Sequence, residues 1–159
     1  MAVIGSSGVE LESELGCLAR ELGGLLAEAD VTVVCGGLSG VMEAACRGAS
    51  EAGGEAIGIV PGNDVSEANP FCTHVVATGI GHARNLAVVC SGAAVIAIGG
   101  EWGTLSEIGF ARAIGRPVIA LRSWMLGGRE RMEGAPGVTS ADSAREAVEL
   151  ALAVLPRGR

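Results

Sequence analysis

The chain has no lysine: all 11 of its basic residues are arginine. That removes every mechanism built on a lysine amine, including a pyridoxal phosphate Schiff base and the P-loop lysine that grips nucleotide phosphates. Tyrosine is absent too, and the aromatics amount to two Trp and two Phe. Single-strand nucleic-acid binders stack bases on aromatic platforms, which this chain can hardly supply. Charge points the same way. Eighteen acidic residues against 11 basic ones give a net charge of -7 with no basic stripe, so no nucleic-acid partner is expected. No apolar run reaches the ~20 residues of a membrane span, so no membrane partner is expected. The opening MAVIGSSG lacks the basic start and long apolar stretch of a signal peptide.

Cysteine is present without a pattern. Cys17, Cys35, Cys46, Cys72 and Cys90 contain no C-x-x-C pair, and their number is odd. Cys17, Cys35, Cys46 and Cys90 sit among apolar neighbours and read as small core residues. Cys72 and His74 could be two metal ligands, but no second pair follows at ligand spacing, so no metal is expected. Free thiols in a chain with no signal-peptide opening predict a cytoplasmic protein.

What the chain has in quantity is apolar residues, at 49%, and glycine, at 26 residues. Its 159 residues suit one globular domain, 1–159, with a core of its own. Short apolar runs alternate with helical patterns. Strands are predicted at Ala2–Ile4, 31–35, Ala56–Val60, His74–Ala77, Ala93–Ile98 and Pro117–Leu121. Helices are predicted at Leu11–Ala29, Val41–Ala52, His82–Cys90, Thr104–Ile114 and Ala141–Leu155, the last started by Thr139 or Ser140 and stopped by Pro156. Residues 61–73 and 122–137 read as loops. The alternation predicts an α/β fold: a doubly wound, Rossmann-like parallel sheet with helices on both faces.

The glycines follow the strands. GSSG follows the first, GGLSG the second, Pro61-Gly62 the third and GGEWGT a later one. In a parallel sheet all these turns lie at the carboxyl rim, where ligands of open sheets bind. GGLSGVME (Gly36, Gly37, Gly40, Glu43) and GGEWGTLSE (Gly99, Gly100, Gly103, Glu107) share one plan: two glycines after a strand and a third as the helix begins. Such turns let backbone approach a ligand, and the helix start offers free amides and a positive dipole end, for which phosphate is the natural guest. The expected phosphate or nucleotide cradle comprises Gly5, Ser6, Ser7, Gly36, Gly37, Gly40, Met42, Gly99, Gly100, Glu101, Gly103 and Thr104. Neither turn is a G-x-G-x-x-G fingerprint, and no acidic residue ends the second strand to hold a ribose hydroxyl, which disfavours a dinucleotide.

Two charged residues stand near that rim. Thr104-Leu105-Ser106-Glu107 has capping-box spacing, which by itself favours Glu107 folding back onto its own helix start; its position beside the cradle weakens that case and leaves a chemical role open. Arg84, in TGIGHARNLAVV, opens a helix at the same rim, where a positive charge opposes the dipole unless an anion or Glu107 answers it. Trp102 and Phe71 could face a base or fill the core.

GGLSGVMEAACRGA and GGEWGTLSE, with HARN between them, resemble the LOG-like group of Rossmann-fold proteins over residues 2–121, nearest to its short branch related to molybdenum-cofactor carriers and, more distantly, to DprA. The resemblance implies a nucleoside 5′-monophosphate site. It also implies that Glu107 and Arg84 hold the catalytic positions of phosphoribohydrolases, which cleave the bond between a base and ribose 5-phosphate. The name lysine decarboxylase carried by many of the group conflicts with the missing lysine. The chain departs from the group's motif at Ile98, Gly81 and Asn85 and carries one extra loop residue (Glu101-Trp102). A hydrolase and a non-catalytic carrier of a nucleotide or molybdenum cofactor are both open, with no resident cofactor and with a homodimer or homotetramer as the expected assembly.

Overall fold

The computed structural model describes residues 1–124 and 137–155. Seven parallel strands form one sheet: β1 (Ala2–Gly5), β2 (Val33–Cys35), β3 (Ala56–Val60), β4 (His74–Ala77), β5 (Val95–Ile98), β6 (Val118–Leu121) and β7 (Val138–Ala141). Their spatial order is β4-β3-β2-β1-β5-β6-β7. The helices are α1 (Glu14–Glu28), α2 (Val41–Glu51), α3 (Arg84–Ser91), α4 (Trp102–Ala113) and α5 (Ala144–Ala153). This is the expected Rossmann-like class.

Strand side chains alternate between two apolar layers, which is why the runs are apolar throughout. Val3, Ile96, Ile98, Ile119 and Leu121 pack with Leu22 and Leu26 of α1, Ala45 of α2 and Val148 of α5. Ala2, Ile4, Val95, Ala97 and Val118 pack with Val88 and Val89 of α3 and Ile108 and Ala111 of α4. Chain direction across the sheet reverses beside β1: β2 follows on one side and β5 pairs on the other. The carboxyl ends of β1 and β5 therefore flank the switch point, where the crevice of such a sheet opens.

Local signals set the helix starts, with several departures from the sequence reading, among them α3, which begins at Arg84 instead of His82 after a 3-10 turn at Gly81–Ala83. Ser13 caps α1 by accepting from the Gly16 amide, so the helix begins after Leu11. Strand β7 fills residues 138–141, directly after the expected loop, and takes Ala141, the expected first residue of the last helix. Its ladder to β6 runs from Val118↔Val138 to Leu121↔Ala141, and Ser143, not Thr139 or Ser140, caps α5. α4 starts at Trp102, two residues early, with Glu101 at its N-cap. The expected stop at Pro156 and most of the 122–137 loop lie outside the described residues. No described helix is long and apolar enough to cross a membrane.

Candidate functional site

Three turns meet at the switch point and are tied to one another. The Val41 amide donates to the Ser6 carbonyl at 3.1 Å. The Ser39 hydroxyl donates to the Ser7 carbonyl at 3.0 Å, and the Ser6 hydroxyl donates to Glu101 Oε1 at 2.9 Å. Between them opens a cleft of about 210 Å³. Gly5, Ser6 and Ser7 line it from the β1 turn, Gly36 and Met42 from the β2–α2 side, and Glu101, Gly103, Thr104 and Glu107 from α4. Arg84 enters from α3, with His82 beside it.

Gly37, Gly40, Gly99 and Gly100, expected in the cradle, do not line the cleft. They build the turns behind it. Gly40 is the clearest case: its φ is +69°, and a Cβ there would stand 2.3 Å from the Ser6 carbonyl oxygen. The third glycine of that doublet thus serves backbone packing between two turns. Gly103 is the opposite case, with nothing within 4 Å of a Cβ added to it. Its freedom faces open space at the start of α4. The Glu101 side chain makes no capping hydrogen bond to its helix, because Ser6 and the cleft hold it instead. The first-turn amides of α4 therefore lack a side-chain cap. The Glu101 carboxylate itself brings negative charge to the rim, so its part in holding an anion is confined to its backbone and to tying Ser6 to α4.

The capping-box reading of Glu107 does not hold. With the helix starting at Trp102, Glu107 lies in the second turn, beyond reach of the first-turn amides, and is only 6% exposed. Its carboxylate faces Arg84, 7% exposed, with Oε1 3.9 Å from Nη1. That spacing is a loose contact, longer than a hydrogen bond. Burial pushes the Glu107 carboxyl up to about 7, a rise that Arg84 partly offsets. Burial also lowers Arg84 from its ordinary value, and Glu107 partly restores it. Arg84 Nε is buried with no hydrogen-bond partner among the described residues. The guanidinium lies over Gly36, where any Cβ would stand 2.3 Å from Nη1. The second turn thus needs glycine to admit the arginine.

Sequence reasoning missed several residues. Asn85 is buried and lines the cleft, as does Leu38. Asn69 is buried and donates to the carbonyls of Gly37 and Leu38, fixing the β2 turn from behind. It falls in the 61–73 segment read as a loop, and nothing there pointed across 31 residues of chain. Trp102 is 78% exposed and its ring centroid lies 5.8 Å from that of Trp124, while Phe71 packs half-buried against the core. Cys17 and Cys90, expected inside, are exposed.

A doubly wound parallel sheet with a polar cleft at its switch point defines a Rossmann-like protein of the kind that admits a ligand at the carboxyl rim. The chain belongs to the SLOG cluster4 family, whose model matches residues 1–151. It is 39% identical to an uncharacterized protein of Archaeoglobus fulgidus over 122 residues, 77% of this chain and 79% of the relative. Among solved structures it is similar to the molybdenum cofactor binding protein of Rippkaea orientalis, with 30% identity, 96% and 94% of the two chains covered and a TM-score of 0.83. It is also similar to the molybdenum cofactor carrier protein of Chlamydomonas reinhardtii, with 31% identity, 96% and 97% covered and a TM-score of 0.80. DNA processing protein A of Helicobacter pylori, which binds single-stranded DNA, matches at 16% identity over 98% and 80% of the chains with a TM-score of 0.70. At that identity the likeness shows the fold alone.

Proposed function

We propose that this protein is a binding protein for a small phosphorylated ligand, a nucleoside 5′-monophosphate or a molybdopterin-type cofactor carried as cargo. The observation that carries the reading is Arg84: a buried cation, held in the cleft by a glycine-made space, with an unpartnered Nε and only a loose contact to Glu107. Buried donors are normally satisfied, so a hydrogen-bonding anion completes this one. The phosphoryl group sits between Arg84 and the uncapped start of α4 at Gly103 and Thr104, supported by the dipole. The cleft is smaller than the ~300 Å³ at which most small-molecule sites begin. It therefore takes the phosphate end and leaves the heterocycle toward the mouth. Glu101 and Glu107 limit the site to one anionic group. The net charge of -7 supports a small ligand over nucleic acid, and the free thiols fit a cytoplasmic setting.

A second reading has its own observation. A carboxyl near 7 beside an arginine suits general acid–base work at neutral pH. Glu107 would orient a water and stabilise an oxocarbenium-like ribose as the base leaves, making the protein a phosphoribohydrolase. One experiment separates the two. The purified chain is titrated with AMP, GMP, CMP and molybdenum cofactor, and the mixtures are assayed for free base. Stoichiometric binding without base release, weakened about 10- to 100-fold in Arg84→Ala, supports the carrier. Base release abolished by Glu107→Gln supports the hydrolase. No binding of any of these ligands sinks both.

A further inference from the structure

Behind the cleft the described interior gathers three thiols from three elements. Cys35 ends β2, Cys46 lies on α2, and Cys72 stands just before β4. Cys35 Sγ is 3.4 Å from Cys46 Sγ, which is 3.8 Å from Cys72 Sγ. The arrangement is built rather than incidental. Gly58, the register partner of Cys35, leaves room for Cys72, since a Cβ there would come 2.7 Å from its sulfur. The Cys72 amide donates to the Asn69 carbonyl, so the loop holding the β2 turn also sets the third sulfur. Cys35 and Cys46 are buried, whereas Cys72 reaches solvent in part. Ligand binding in the cleft uses none of them.

The thiolate is the reactive form of cysteine, and it forms where donors surround the sulfur. The neighbouring thiols of Cys35 and Cys46 hold the Cys72 thiol below its ordinary range against the effect of burial. Cys46 is pushed up by its hydrogen bonding to Cys35 and Cys72 and by burial, and so keeps its proton. An accessible nucleophilic sulfur thus has a protonated thiol directly behind it.

We propose that Cys72 is a peroxide-reactive cysteine and Cys46 its resolving partner, forming a Cys46–Cys72 disulfide behind the ligand cleft. The Cys72 thiolate attacks one oxygen of hydrogen peroxide. The O–O bond breaks, hydroxide leaves, and Cys72 becomes a sulfenic acid. The Cys46 sulfur then attacks the Cys72 sulfur and the S–O bond breaks. The hydroxyl leaves as water with the Cys46 proton. Two thiols are oxidised to one disulfide while one peroxide is reduced to two waters.

The test uses the full chain with the exposed Cys17 and Cys90 changed to serine. One equivalent of hydrogen peroxide is added, free thiols are alkylated under denaturing conditions, and the protein is cut at arginine. Cys35 and Cys46 fall in the peptide 21–47 and Cys72 in 48–84. The expected result is a fall from three free thiols to one and a cross-link between those two peptides, retained in Cys35→Ser and lost in Cys46→Ser. Cys72→Ser, which keeps size and partial exposure, slows thiol loss about tenfold or more, with an unchanged melting temperature showing that the fold survives. Three thiols still free after excess peroxide, a bridge confined to 21–47, or over-oxidised Cys72 with no cross-link each overturns the proposal.

Discussion

Glu107 is where burial and chemistry meet, and its titration has a definite sign. Its folded value, about 7, lies above the ordinary 4.5. Below pH 4.5 the carboxyl is protonated in both states and costs nothing. Between 4.5 and 7 the unfolded chain ionises while the folded one does not, so stability falls as pH rises through that window and levels off above it. The full effect is at most about 3 kcal/mol. Urea unfolding at pH 4.5 and pH 8 should show wild type losing about 1–3 kcal/mol relative to Glu107→Gln. Parallel stabilities would mean that Glu107 titrates as an ordinary carboxyl. The same proton governs an anionic ligand. A phosphate beside Glu107 binds best while the carboxyl is neutral, so affinity should fall as pH rises through about 7 in wild type and lose that step in Glu107→Gln. Isothermal titration from pH 6 to 8 reads this, after correction for the phosphate's own ionisation.

At the scale of elements, the two glycine doublets look alike in sequence and do different work. Gly40 joins the β1 and β2 turns through a contact no side chain can enter, at a φ of +69°. Gly40→Ala should destabilise the fold by about 2 kcal/mol or more, read as a lower urea midpoint. Gly103 lies in the first turn of α4 with open space around it. Gly103→Ala should leave stability unchanged or raise it by up to about 1 kcal/mol, since alanine is the better helix former. It should nonetheless weaken AMP or phosphate binding, because the new methyl stands where the anion approaches the amides. A Gly103→Ala protein that binds as wild type would move the phosphate away from α4. The third turn of the series, Pro61-Gly62, lies on the same rim but pairs with the residues after β4 through the Gly79 and Gly81 amides, and so takes no part in the cleft.

For the whole molecule, one outer face stands apart. Along α4 the exposed positions are Trp102, Gly103, Ser106, Gly109, Phe110 and Ala113, followed by Ile114, without a charge among them. Phe110 is 40% and Ile114 45% exposed, and Leu86 of α3 is exposed nearby. A helix that is apolar on its inner and outer faces alike is one covered on both sides. A second copy of the chain is the cover we expect, in line with a homodimer or homotetramer. Phe110→Glu with Ile114→Glu should reduce the light-scattering mass to that of one chain without changing the melting curve of the monomer. A wild type that already runs as a single chain at high concentration would remove the expectation.

The class of fold was written in the sequence, because alternating apolar runs and helical spacings report local burial, which each segment carries in itself. So was the rim on which the glycine turns meet, since strand-to-helix turns of a parallel sheet share an edge. Strand β7 was not, because Val-Thr-Ser-Ala has no apolar run and exists as a strand only through its ladder to β6. The pairing of Glu107 with Arg84 was legible only beside a competing capping box at Thr104, and the burial that lifts its carboxyl was decided by the packing of α4 against α3. The three thiols likewise lie 11 and 26 residues apart in sequence and meet only because β2, α2 and the loop before β4 fold onto one another. Local pattern determined which elements form and which edge they open on. Which side chains share a low-dielectric interior, and so what protons they hold, was decided by contacts between segments that no single segment specifies.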